Sequence, residues 1–231
     1  MLTNTKEQAL LTMNYSIDKI VFINSCNHAY SELDLSKNLA LFGRNNKGKT
    51  SSLVATKLLL YPEINFNDCN SKFKFYSVAN NNYYGKEKSY DFYFPYADSY
   101  IIMEINNPLG TFCTVLFRAN NYEYHRLLIQ KDYLSIRHLF WNDAEKKFPE
   151  KGDLEIGNII KQITNMGLKY RVVSKKDELI KLFYANKGNA DSVYSLVPLR
   201  DNKSSSVAAF TSIYDIAFGR KEEKVLAHAL A

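Results

Sequence analysis

Gly43, Gly48, Lys49 and Thr50 stand in the spacing G-x-x-x-x-G-K-[ST] within the run LFGRNNKGKTSSL, residues 41–53. A turn needs one glycine. Two of them five positions apart, the second directly before a lysine and a threonine, suit a loop shaped around phosphate. Glycine accepts backbone torsions that other residues resist. Successive amide N–H groups of Gly43, Arg44, Asn45, Asn46, Lys47 and Gly48 can then turn inward as an anion-binding concavity. A helix start at the same place adds partial positive charge. In that arrangement Lys49 reaches the β- and γ-phosphates, the Thr50 hydroxyl holds Mg²⁺, and Ser51 follows in the first turn of the helix.

Such a loop has to sit between a strand and a helix. LALF (39–42) is an apolar run too short for a helix and reads as a buried strand. From Lys49 onward, Leu53, Val54, Lys57, Leu58 and the following leucines recur at helical spacing until Pro62. Upstream, residues 1–14 read as a polar lead-in. KIVFIN (19–24) and AYSELDL (29–35) read as strands joined as a hairpin through SCNH. Residues 63–98 are Asn-rich and aromatic without clear periodicity, and read as a long insertion around a binding surface.

SYIIMEI (99–105), the turn NNPLG and TFCTVLFR (111–118) make a hairpin, with Pro108 at the second turn position. YEYHRLLI (122–129) adds the third strand of an antiparallel meander. Leu154, Ile156, Ile159, Ile160, Ile163 and Met166 predict a helix within 153–167, with Gly167 past its end. KYRVV reads as a strand, Ser174 and Asp177 as a capping-box pair ahead of ELIKLFYA, and SSSVAAFTSIYDIAF as a helix.

The bulk numbers narrow the classes. The chain has 231 residues, 46% hydrophobic and 23% charged, which suits a globular protein with a core. Its formal charge of +6 comes from scattered lysines and arginines, so an anionic partner is permitted and not demanded. Cys26, Cys69 and Cys113 lie far apart without a CxxC pair, which argues against a zinc site or a disulfide framework and for a reducing, cytoplasmic setting. The first fifteen residues lack the apolar core of a signal peptide. No apolar run approaches the roughly 20 residues that span a bilayer, so no membrane partner is expected. A GTPase is disfavoured: NKGN (186–189) puts Asn189 where an aspartate would read guanine, and no D-x-x-G stands at the right separation.

The order of two strands, a loop strand, a helix, an insertion and an antiparallel meander resembles the N-terminal lobe of the ATPase head in the SMC and ABC-type DNA-repair superfamily. The stretch IDKIVFINSCNHAYSELDLSKNLALFGRNNKGKTSSLVATKLLL is similar to that family's opening. GRNNKGKTSSLVATKLLLYPEINFNDC, with GTFCTVLFR and IRHLFW, more narrowly resembles SMC-like ATPases of bacterial anti-plasmid and anti-phage defence systems. The resemblance covers about the first 60 residues well and the next 70 loosely.

The resemblance implies an α/β fold: a P-loop ABC-type ATPase N-terminal lobe, with a mixed sheet carrying an antiparallel meander and flanking helices. It implies a head over residues 1–200 and a C-terminal helix over 201–231 that could begin a coiled coil. ATP and Mg²⁺ are the implied cofactors. The family places a glutamine after the meander on the metal and the attacking water; Gln130 holds that position here, with Gln162 the second choice. DNA is the implied partner, with Lys72 and Lys74 as candidate phosphate contacts.

The family's signature loop and its Walker B strand ending in Asp-Glu are not found in this sequence. Glu104, at the end of an apolar run, reads as an outward residue of an alternating strand. The implied remedy is a C-terminal lobe or companion subunit, and a second copy of the head across a shared ATP. Two other classes stay open. One is a nucleotide-sensing module that never hydrolyses ATP; the other is a small-molecule P-loop kinase, against which stands the meander in place of alternating strands and helices.

Overall fold

The computed structural model describes residues 15–37, 49–66, 76–77, 82–83, 86–150, 152–184, 193–197, 199 and 204–217. Six strands form one sheet: β1 (Ser16–Ser25), β2 (His28–Asp34), β5 (Tyr100–Asn107), β6 (Gly110–Arg118), β7 (Tyr124–Ile129) and β8 (Tyr170–Val173). A separate two-stranded ribbon, β3 (Tyr76–Ser77) with β4 (Asn82–Tyr83), lies between them in sequence. The order across the large sheet is β2-β1-β5-β6-β7-β8, and every neighbouring pair is antiparallel. The expected meander is therefore present as β5-β6-β7, while the expected mixed sheet is corrected to an antiparallel one among the described residues. Residues 39–42, expected as a further strand, lie outside those residues.

Both faces of the sheet are buried along its central strands β1, β5, β6 and β7. Ile20 and Phe22, Ile101, Met103 and Ile105, Phe112 and Leu116, and Leu128 belong to one core. Helices α1 (Lys49–Leu60), α2 (Lys86–Tyr93), α5 (Lys176–Phe183) and α6 (Ser204–Ala217) contribute to that core, through Leu58 and Leu59, Tyr90 and Tyr93, Leu179 and Phe183, and Val207. The alternate residues Val21, Ile23, Ile102, Val115, Leu127 and Ile129 form the other core with α3 (Tyr133–Ile136), the 3₁₀ turn Arg137–Leu139 and α4 (Ile156–Asn165). This is why SYIIMEI and TFCTVLFR are apolar almost without alternation: successive side chains point to opposite faces, and both faces are dry.

Local chemistry sets the connections. Cys26 and Asn27 join β1 to β2 with φ of 56° and 64°, the torsions of a two-residue hairpin turn that matches strand twist. Asparagine adopts them readily and cysteine does not. The Cys26 N–H donates to Phe92 O at 3.1 Å and the Ser25 hydroxyl to Tyr93 O at 2.7 Å, so the end of α2 holds this turn. Residues 63–98, which show no period in the sequence, thus contain a helix whose aromatic side chains fill the first core.

The α4 helix ends as its sequence predicts. Gly167 has φ of 69°, its N–H donates to Thr164 O at 3.0 Å, and the Leu168 N–H donates to Ile163 O at 3.2 Å, the paired bonds of a Schellman stop. The capping box at Ser174 and Asp177 is corrected. Lys175 is the N-cap of α5 and makes no side-chain cap bond, because the helix begins one residue later than the box requires.

One buried cation dominates the packing. Arg126, in the middle of β7, is fully buried. Its guanidinium donates to Leu58 O at 2.6 Å, to Glu63 O at 2.9 Å and to Tyr61 O, all at the carboxyl end of α1. Replacing Arg126 by Met keeps most of the apolar volume and removes those donors. The expected loss is about 3 kcal/mol, seen as a fall of roughly 6–12 °C in the unfolding midpoint for a chain of this size. An unchanged midpoint in a thermal melt would refute this role for Arg126.

Candidate functional site

The α1 helix opens at Lys49, so Lys49, Thr50 and Ser51 form its first turn. Gly43, Arg44, Asn45, Asn46, Lys47 and Gly48 lie outside the described residues, as do Lys72 and Lys74. A described helix runs from Lys49, where the phosphate-loop spacing asks for one.

The far end of α1 is tightly specified. Tyr61 N–H continues the helical pattern to Lys57 O at 2.8 Å. Beyond it, Leu58, Tyr61 and Glu63 carbonyls receive Arg126, and the Leu60 carbonyl receives the Tyr184 hydroxyl. Ile64 O then accepts from Tyr124 N–H, and Phe66 N–H donates to Tyr122 O, both at 2.8 Å, stitching the exit segment to the start of β7. The guanidinium lies 5.4 Å from the Tyr124 ring centroid and 5.9 Å from that of Phe183. Sequence reading passed over Arg126. The signal available was a lone arginine inside the apolar strand YHRLLI, where a charge is retained only against several acceptors.

Gln130 follows the last residue of β7, four positions beyond Arg126. It is half-buried, and its N–H donates to Lys169 O at 2.9 Å, which ties the end of β7 to the approach of β8. A single strand thus carries the clamp on α1 and the candidate glutamine. Gln162 is separated from them: it lies on α4, which packs on the opposite face of the sheet from α1. Among the described residues no group of three or more His, Cys, Asp or Glu side chains could hold a metal ion.

Glu104 corrects an expectation. It is half-buried, and its carboxylate accepts the Tyr133 N–H at the start of α3. Neither Glu104 nor its neighbour Asn106 is fully exposed, because both faces of β5 are largely covered. Burial pushes its pKa up from the usual range, against the opposing pull of that N–H and of Lys19.

Beside it runs a polar network missed from sequence. Glu32 is held by Lys19 at 3.3 Å and by Arg137 at 2.8 Å. The Tyr30 hydroxyl donates to Glu32, receives Arg137 Nε at 3.1 Å and lies 3.1 Å from the Tyr133 hydroxyl. Burial and Glu32 push the Tyr30 phenol up to about 12. The Tyr30 ring stacks on Trp141 at 4.2 Å with planes 7° apart. This network fastens the edge strand β2 to the 3₁₀ turn, and each of its charges already has a partner.

The geometry defines an α/β chain with a six-stranded antiparallel sheet and helices on both faces. No described helix is long and apolar enough to cross a membrane. Comparison with family models, with curated proteins and with solved structures gave no match.

The raised pKa of Glu104 fixes a sign for pH dependence. Above the unfolded carboxyl value of about 4.5, the folded state keeps its proton longer than the unfolded chain does, so this group's contribution to stability falls as pH rises toward the folded pKa. Glu104→Gln retains an acceptor for the Tyr133 N–H and removes the charge. The variant should therefore be the more stable protein at pH 7 in denaturant titrations, with the difference closing near pH 4. Equal stability at both pH values, or a deficit at pH 7, would count against the burial argument.

Proposed function

We propose that this chain is the ATP-binding N-terminal part of an SMC-like, ABC-type ATPase head that works on DNA, in genome maintenance or in defence against foreign DNA. The observation that carries the reading is the G-x-x-x-x-G-K-T run ending where α1 begins, with the opposite end of that helix clamped by Arg126. Support also comes from the antiparallel meander after α1 and from Gln130 at the end of its third strand.

In this reading the loop amides and Lys49 hold the triphosphate, and Thr50 holds Mg²⁺, which spreads the charge developing on the γ-phosphate. Gln130 would orient the attacking water and touch the metal. A C-terminal lobe or companion subunit would supply the catalytic acid and signature loop, and a second copy of the head would close the site. A second reading, a nucleotide sensor that binds ATP without hydrolysing it, is favoured by one observation. Glu104, the acid inside the apolar strand β5, is already engaged by the Tyr133 N–H.

Titration calorimetry of the chain with Mg-ATP tests the core of the proposal. The chain should bind, Lys49→Ala should weaken binding at least tenfold, or about 1.4 kcal/mol, and turnover by the chain alone should be near background. Absence of ATP binding, or equal binding by Lys49→Ala, sinks the nucleotide reading. Vigorous hydrolysis by this chain alone would instead sink the need for a completing lobe.

A further inference from the structure

The residues 169–181, KYRVVSKKDELIK, hold five basic side chains against two acidic ones. They run through the outermost strand β8 and most of α5, and several of them border an open cavity of about 580 Å³. Ile64, just past the clamped end of α1, forms one side; Arg171, Lys175, Lys176 and Lys181 line the rest with Asp177 and Glu178. An apolar small molecule would want apolar walls and deeper enclosure.

The charges divide into two sets. Arg171 is paired with Glu178 at 2.6 Å and Lys176 with Glu63 at 3.3 Å, so these two are positioned by partners. Lys175 and Lys181 are exposed and make no ion pair among the described residues, and Lys169 is exposed nearby. Lys181 lies six positions beyond Lys175, the N-cap of α5, or about 9 Å along the axis. That distance covers two to three phosphates of one strand at roughly 3.4 Å of rise each. Asp177 offsets part of the field and leaves the balance positive.

We infer that this groove is a contact surface for the phosphate backbone of duplex DNA, with Lys175 and Lys181 as the neutralising side chains and the paired Arg171 and Lys176 as its fixed floor. The inference rests on the proposed DNA partner and names where on this chain the partner lies. Backbone contacts of this kind carry affinity and register without reading sequence.

The test is fluorescence anisotropy of a labelled 20-base-pair duplex with the chain, between 50 and 200 mM KCl. The double variant Lys175→Ala/Lys181→Ala should melt like the parent, bind more weakly, and show a log K against log salt slope smaller by about 2. The control Lys146→Ala/Lys147→Ala, in the 142–147 turn, should leave binding unchanged. If the parent binds DNA and the groove variant binds equally well with the same slope, the groove assignment is overturned and the DNA partner stands. If the parent does not bind DNA at 50 mM KCl, both fall, while ATP binding through Lys49 remains a separate question. If the groove variant loses binding of inorganic tripolyphosphate but keeps that of DNA, the groove is a small-anion site and the inference is overturned.

Discussion

The carboxyl end of α1 and the guanidinium of Arg126 each solve a problem the other has. A helix ends with carbonyls that lack intrahelical partners, and here Leu58, Tyr61 and Glu63 present theirs to a region closed by β7 and α5. Water is excluded there, so another donor is required. An arginine taken out of water costs several kcal/mol unless its N–H groups find acceptors. Three carbonyls satisfy it, the negative end of the helix dipole favours it, and two aromatic rings lie against it. Lysine has neither the fork nor the flat face to do the same. The result fixes α1 against β7 in both position and rotation. The same helix runs 12 residues back to Lys49.

Central strands covered on both faces explain the other interior polar groups. Glu104 occupies a strand whose alternate residues all face a core, so its carboxylate turns to the free N–H at the start of α3. At the β2 edge the Tyr30–Glu32–Arg137 network and the Trp141 stack replace the apolar packing that an outermost strand lacks. Exposed charges of this kind contribute little singly. Here several are half-buried and share hydrogen bonds, a setting in which each holds the next in place.

What could be read from the residues follows the same division. The meander, the α4 helix and its stop at Gly167 were legible because they depend on neighbours within a few positions: Pro108 in a turn, isoleucines at helical spacing, a glycine at positive φ. The α1 helix was legible for the same reason, since the leucines that follow Lys49 are local. The α2 helix was not, because EKSYDFY has little helical period. It is retained by Tyr90, whose hydroxyl donates to Ala119 O at 2.8 Å and Glu123 O at 2.7 Å, contacts some thirty residues away. Arg126 was illegible for a related cause: its partners are more than sixty residues earlier, and nothing in YHRLLI names them. The capping box failed because a spacing of three residues says nothing of where a helix begins. Here α5 begins at Lys176, after an N-cap at Lys175 that gives no side-chain bond.

On the proposed reading, α1 connects two anion-facing places. Its first turn carries the lysine and threonine of the phosphate loop, and in its exit segment Ile64 borders the basic groove while Glu63 holds Lys176. A close-packed helix does not bend to absorb a shift at one end. The carbonyl clamp also resists sliding, because any displacement that breaks it leaves an arginine buried without its acceptors. A movement imposed on the groove wall would therefore be opposed at the Arg126 clamp. That makes Arg126, which touches neither ATP nor DNA in this account, the residue through which the two would be coupled. A variant of Arg126 that still folds would separate such coupling from binding itself.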